Sequence, residues 1–537
     1  MIDIKLLNLF IMVLTCFITL GCEQKSNDTL KSGLIYCSEG SPENFNPQTT
    51  TSSITIDASG RQIYDRLLEL NPITHEIVPS LAKNWTSNPE GTVYNFFLRD
   101  DVSFHNTQYF TPNRNLNSDD IIFSFNRWRV KSHPFHDVAD SYPYMQTQQL
   151  NLLIEDIIRI SDHQIQIRLV QPSNSFIEQL ATDYMVILSA EYGAQLSLKE
   201  EKQLIDTQPV GTGPFKFQEY IKDQYIRFKV HENYWGDKPK LSQLVYDITP
   251  QSSTRLAKLL SAECDVISYP TASEMLILQD KDGINVQSKT PENTSYWAFN
   301  TLKPPFDQKI VRQALALAID KQQIYKTIYY GTAFPADSLL PPSSWAYNNK
   351  LTQYEYDPVK AKELLIQAGI KSGFEMEIWA PNIERAYNPN AIKMAEVIKA
   401  NLALVGISVT IIDFEWTALR KKLSMNEHDS VLFGWNADMS DPDNYLRPVL
   451  SCSAAIIGIN RAAWCEPKFD ELLVNAELSD SLEKRKAYLI QAQEVLNTEL
   501  PLFPIAHSLS FIAKQDNIHN VRFEAFSAIS FKYAEKN

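Results

Sequence analysis

Between Asp357 and Phe414 helix and strand patterns follow one another with little chain between them, and no other stretch narrows the fold so far. Asp357-Pro358 reads as an N-cap with proline at the first helical position. Ala361, Leu364, Leu365 and Ala368 share one face, and Gly369 stands where a helix-ending glycine belongs. A second helix starts after Asn390, turns Met394, Val397, Ile398, Leu402 and Val405 inward, and stops at Gly406. Ile407 to Phe414 is rich in β-branched residues and reads as a strand. Such alternation belongs to α/β domains.

The same reading extends outward. Ile310 to Tyr330 reads as a single helix, with Ala314, Leu317 and Ala318 facing inward and Gly331 ending it. Thr92 to Leu98 and His163 to Leu169 alternate as strands, while Pro304-Pro305 and Pro341-Pro342 mark breaks between units. A chain of 537 residues with 44% hydrophobic content can bury two or three cores. Its net charge of -14 sets it against nucleic acid as a partner and is compatible with basic peptides or other cationic solutes. No repeat of fixed period is visible.

Val431 to Tyr445 (Val-Leu-Phe-Gly-Trp-Asn-Ala-Asp-Met-Ser-Asp-Pro-Asp-Asn-Tyr) reads as a buried strand opening through glycine into a loop with three carboxylates. A carboxylate in a partly dry cleft is costly unless a cation meets it, and that cation could be a ligand's ammonium group. The plainer reading makes Asp441 and Asp443 turn caps and Asp438 a solvated charge. Residue types alone leave both open.

The first 21 residues carry Lys5 and an apolar run from Leu6 to Leu20 that is shorter than the roughly 20 residues a membrane-spanning helix needs, so they read as a signal peptide. Gly21-Cys22 resembles a bacterial lipoprotein processing site, with Thr19 where a leucine is usual. Cys22 is therefore expected to carry lipid, and residues 22–32 to act as a polar tether. With Cys16 and Cys22 set aside, Cys37, Cys264, Cys452 and Cys465 remain, an even number in an oxidising compartment. Of three connectivities, Cys452–Cys465 closes a short local loop and leaves Cys37–Cys264. No metal is expected, since CxxC spacing and clustered Cys/His are missing.

Several longer segments carry a family likeness: Tyr36-Cys37-Ser38-Glu39-Gly40-Ser41-Pro42-Glu43-Asn44-Phe45-Asn46-Pro47, Pro209-Val210-Gly211-Thr212-Gly213-Pro214-Phe215, Asn233-Tyr234-Trp235-Gly236, Val311-Arg312-Gln313-Ala314-Leu315 and Tyr387-Asn388-Pro389-Asn390. Together they resemble the bacterial dipeptide-binding proteins, within the peptide/nickel solute-binding family (family 5) that serves ABC importers. The resemblance runs collinearly over the mature chain. It implies a two-lobed α/β periplasmic-binding-protein fold of type II, with an extra N-terminal subdomain and hinge closure on the ligand. Lobe I would comprise residues 31–290 and 509–537, with the subdomain inserted at about 75–215, and lobe II residues 291–508.

The resemblance also assigns roles. Asp438, shortly after Gly434-Trp435, would take a peptide's α-ammonium group, and Arg385, just before Tyr387-Asn388-Pro389-Asn390, its α-carboxylate. The chemistry fits these roles, since guanidinium pairs with carboxylate through two hydrogen bonds, and Asp accepts charge-assisted bonds from ammonium. Trp435 and Tyr387 would wall the ligand, or else pack between lobes without touching it. Thr51-Ser52-Ser53 matches a loop that borders the peptide backbone in relatives, with Ser53 where glycine is typical; Asp441 and Asp443 read as caps.

Catalytic motifs fare poorly. Gly211-Thr212-Gly213-Pro214 lacks the spacing and lysine of a phosphate loop, His231-Glu232 has no second histidine, and Ser80-x-x-Lys83 and Ser481-x-x-Lys484 lack companion motifs. The expectation is a non-enzymatic, monomeric binding protein without cofactor. It would be tethered by lipid in a Gram-negative periplasm, delivering short peptides to an inner-membrane ABC permease. Glutathione, haem and antimicrobial peptides, the ligands of Sap-type and lipoprotein relatives, are the alternatives within the family; a serine peptidase and a non-importing adhesin or chaperone lie outside it.

Overall fold

The computed structural model describes residues 33–537 apart from 72, 73, 75, 290, 291, 524, 525, 527 and 528, so the expected signal peptide, Cys22 and the tether lie outside the described residues. A seven-stranded sheet gathers Gly33–Ser38, Phe215–Ile221, Tyr225–Val230, Gln243–Ile248, Val266–Ser268, Ile284–Lys289 and Ser510–Gln515. A six-stranded sheet gathers Asn293–Phe299, Ala333–Pro335, Phe374–Pro381, Ile407–Phe414, Ser430–Asn436 and Leu502–Ser508. Each forms the centre of one lobe of a mixed α/β molecule.

Strand alternation explains the cores. Leu34, Tyr36, Leu244 and Tyr246 face one apolar cluster of the first sheet, while Cys37, Ile267 and Ala513 face another on its opposite side. In the second sheet Trp297, Met376, Ile378 and Leu432 point one way, and Tyr296, Trp379, Val431 and Phe433 the other. Among the described residues four apolar clusters result rather than the two or three expected, because both large sheets are covered on both faces.

The local signals of the second lobe translate directly. The Asp357 side chain accepts from the Lys360 amide and caps Pro358–Gln367, and Gly369 takes a positive φ of 77° behind it. Asn390 caps Ala391–Leu404 in the same way, with Gly406 at φ 84°. That helix delivers the chain to Ile407–Phe414, which lies parallel to Phe374–Pro381, itself parallel to Ser430–Asn436. The single helix expected over Ile310–Tyr330 is corrected: Lys309–Leu317 ends, and Asp320 caps a new start at Lys321–Ile324 by accepting from the Gln323 amide. Apolar periodicity continues across the join, whereas the capping acid inside it ends one helix and begins the next.

A smaller antiparallel sheet of Ala82–Ser87, Val93–Leu98, Gln164–Leu169 and Ile154–Ser161 lies within the chain span expected for the inserted subdomain. Cys37 and Cys264 stand with Cα atoms 5.9 Å apart, and Cys452 and Cys465 4.5 Å apart, both within disulfide reach. The chain passes between the two large sheets twice, once between Lys289 and Asn293 and once between Ser508 and Ser510. The buried Asn293 side chain joins these crossings: its Nδ2 donates to the Ser508 carbonyl at 2.8 Å, and its Oδ1 accepts from the Ser508 amide at 3.1 Å.

Candidate ligand-binding cavity

The Ser430–Asn436 strand is buried up to Gly434, where its sequence leaves no room for a side chain. A Cβ at Gly434 would stand 2.2 Å from Cδ2 of the Tyr387 ring and 2.7 Å from the Thr294 carbonyl, so glycine lets Tyr387 lie against the strand. Beyond it the chain turns outward through Trp435 and Asn436 to Asp438. There a cavity of about 780 Å³ opens between the lobes. Ser52, Ser53, Arg385, Tyr387, Trp435 and Asp438, the six residues singled out in the sequence, all line it. A neighbouring cavity of about 600 Å³ shares Ser53, Ile56, Asn436 and Asp438 with it.

Asp438 is held by residues from both sides. Its amide donates to the Asn444 side chain at 2.8 Å, and its Oδ1 accepts from the Tyr184 hydroxyl at 3.0 Å. Tyr184 is itself fixed by stacking on Tyr144, with ring centroids 4.2 Å apart. Asp438 Oδ2 is shielded from solvent and has no hydrogen-bond partner among the described residues. Burial pushes this carboxyl up to about 7, since the Tyr184 bond only partly offsets the lost hydration. Such an oxygen is suited to a cationic donor. Asp441 caps a turn as the plainer reading had it, accepting from the Asp443 amide and pairing with Arg485, whereas Asp443 pairs with Arg447 at 2.6 Å instead of capping.

Arg385 sits in a tight turn in which the amides and carbonyls of Arg385 and Asn388 bond reciprocally. Its Nη1 donates to Glu39 Oε1 at 2.7 Å and approaches the Ser53 hydroxyl at 3.4 Å, so it reaches across to the first lobe. The guanidinium lies 4.4 Å from the Trp416 ring centre. Trp416 stacks at 5.5 Å on Phe433, over which Arg461 is placed at 4.9 Å. Arg420, a third guanidinium on the cavity, pairs with Glu43 at 2.8 Å. The Glu39–Arg385, Glu43–Arg420, Tyr184–Asp438 and Glu178–Ser440 contacts all join the lobes, which therefore stand closed together.

Glu39, Tyr184, Trp416, Arg420 and Arg461 were not singled out in the sequence. Glu39 lies inside a segment that carries the family likeness, while no local pattern marks the others. Among the described residues no group of histidine, cysteine and carboxylate side chains is arranged to hold a metal ion. Nor does a histidine or methionine among them line the cavity. His507 bonds to the Asn293 carbonyl and His428 to the Arg461 carbonyl, as core histidines do.

A family model described as bacterial extracellular solute-binding proteins, family 5 (middle part), matches residues 76–456. The chain belongs to this family. As a family 5 protein it is 41% identical over 507 residues to the peptide transport periplasmic protein SapA of Salmonella typhimurium, covering 94% of this chain and 92% of that one. It is also 41% identical over 479 residues to the dipeptide-binding protein of Escherichia coli, covering 89% and 90%. The crystal structure of a Pseudoalteromonas dipeptide-binding protein in complex with Met-Leu superposes with a TM-score of 0.92 at 45% identity, covering 94% of the family 5 protein and all of that chain. The expected family and the two-lobed α/β fold are those observed.

Proposed function

We propose that this protein is an extracytoplasmic solute-binding protein that captures short peptides, dipeptides foremost, and delivers them to an inner-membrane ABC permease. Arg385 takes the α-carboxylate and Asp438 the α-ammonium; Tyr387 and Trp435 wall the peptide, and Ser52 and Ser53 border its backbone. The observation that carries this reading is the shielded, unpartnered Asp438 Oδ2 on the same cavity as Arg385. An α-ammonium supplies a positive charge and several hydrogens for it. Fixing both peptide ends makes the cavity a measure of backbone length, while bridging water lets side chains vary. The dipeptide complex of the 45% identical protein supports the same ligand class. The lobe boundaries proposed from sequence are supported by sheet membership, since every strand of one large sheet falls within residues 33–289 and 510–515 and every strand of the other within 293–508.

The chain acts by binding rather than catalysis, as a monomer in a Gram-negative periplasm, tethered through lipid on Cys22. Both cysteine pairs are oxidised there. Haem is disfavoured by a cavity without histidine or methionine among its described lining residues. Isothermal calorimetry with di-, tri- and tetrapeptides, glutathione and haem tests the reading: dipeptides bind with the highest affinity. Tighter binding of tetrapeptides, glutathione or haem would overturn it.

A further inference from the structure

Three guanidiniums among the described residues line the main cavity, and two of them have carboxylates. Arg385 has Glu39 and Arg420 has Glu43. Arg461 has none: among the described residues no acidic oxygen lies within 4.0 Å of it. It is nevertheless only 8% exposed. Its Nη1 donates to the Gly458 carbonyl at 2.9 Å, its Nε is shielded without a partner, and its planar head rests over Phe433. Burying a cation without its counter-charge is costly, and a structural guanidinium in a cavity wall would ordinarily have acquired an acid. The residue arises from the loop Ile459–Trp464, after the Cys452–Ile456 helix, and is held there by the Asn460 side chain, which donates to the Trp464 carbonyl at 2.8 Å.

Placement narrows what Arg461 waits for. Phe433, which carries it, stacks on Trp416, which carries Arg385, so both unite on the carboxylate end of the cavity, away from Tyr184 and Asp438 in the contact pattern. With a dipeptide as the ligand, the reading on which this rests, the group nearest that end after the α-carboxylate is the side chain of the second residue. We infer that Arg461 is a specificity-determining residue that binds a carboxylate on the second side chain, so the protein prefers dipeptides ending in aspartate or glutamate. A guanidinium gives such a carboxylate two parallel hydrogen bonds, which an amide of equal size cannot match. Neutral peptides still fit, leaving Arg461 facing water in the cavity.

The test compares Ala-Glu with its isostere Ala-Gln, with Glu-Ala and with Ala-Ala, by calorimetry on the full protein stripped of endogenous ligand. Wild type is expected to bind Ala-Glu about tenfold more tightly than Ala-Gln, with Glu-Ala showing no such gain. In Arg461→Gln the Ala-Glu to Ala-Gln ratio falls to about one, and Arg461→Lys restores part of it. Because the ratio is read within each protein, a general loss of affinity in a variant does not imitate the result, and the wild-type ratio decides even where a variant does not fold. Equal binding of Ala-Glu and Ala-Gln, or an equal gain for Glu-Ala, overturns the inference and leaves the dipeptide reading standing. Failure of all four peptides to bind overturns both.

Discussion

Arg385 meets the cavity with its charge already answered by Glu39 at 2.7 Å, whereas Asp438 meets it with one oxygen bonded to Tyr184 and the other without a partner among the described residues. The first arrangement stores a cation at little cost, because the pair neutralises itself when no ligand is present. The second makes the ligand-free protein carry a desolvated acid, relieved either by a proton or by a ligand's ammonium group. The difference teaches that the two ends divide the work: the arginine end is organised beforehand, and the aspartate end gains most on binding.

Replacing each anchor breaks this comparison most sharply. Asp438→Asn is expected to weaken dipeptide binding by about 100-fold or more, since the ammonium loses its counter-charge in a closed cavity. The same change raises the thermal midpoint of the ligand-free protein at pH 8. Asp438 titrates near 7 in the fold against 3.8 as its ordinary value, so the folded state binds the proton more tightly, and stability falls as pH rises from about 4 to 7. Arg385→Ala also weakens binding, yet lowers the midpoint by leaving Glu39 buried without its ion pair. Calorimetry and thermal melts on the two variants check this; a lower midpoint for Asp438→Asn would end the proposed division.

The next effect is on pH. Below about pH 7 the ligand must displace a proton from Asp438, so affinity should fall about tenfold for each further unit down, and Asp438→Asn should flatten that slope. Arg385→Lys should keep it. A titration of dissociation constants between pH 5 and 8 reads both. The smallest effect concerns the wall between the anchors: Gly434→Ala drives a methyl into Tyr387 and should cost about 1 to 3 kcal/mol of stability and about fivefold in affinity, measured by melts and calorimetry.

What the sequence disclosed follows the range of the interactions. Asp357, Asn390, Gly369 and Gly406 act on backbone groups a few residues away, so their caps could be read directly. Asp320 is equally local, but an unbroken apolar period on both sides hid it. Glu39 and Arg385 are 346 residues apart, and Tyr184 and Asp438 are 254 apart. No periodicity links such partners. Arg385 and Asp438 were reachable only through the family likeness, and Arg461, in a loop outside the segments that carry it, only through the fold.

The Asn293 staple bears on how the lobes could part. Two strands pinned side by side resist twisting, because a twist would have to shear the two hydrogen bonds between the Asn293 side chain and the Ser508 amide and carbonyl. What remains soft is a swing about the line on which both crossings lie. Ser508 also holds the Ala386 carbonyl, next in chain to Arg385, so the guanidinium is moored almost on the axle. Asp438 is moored there too, since Asn436 pairs with Asn293 and the Ala437 amide donates to the Glu292 carbonyl at 2.8 Å, so both anchors stay near the axle while the far ends of the lobes travel furthest.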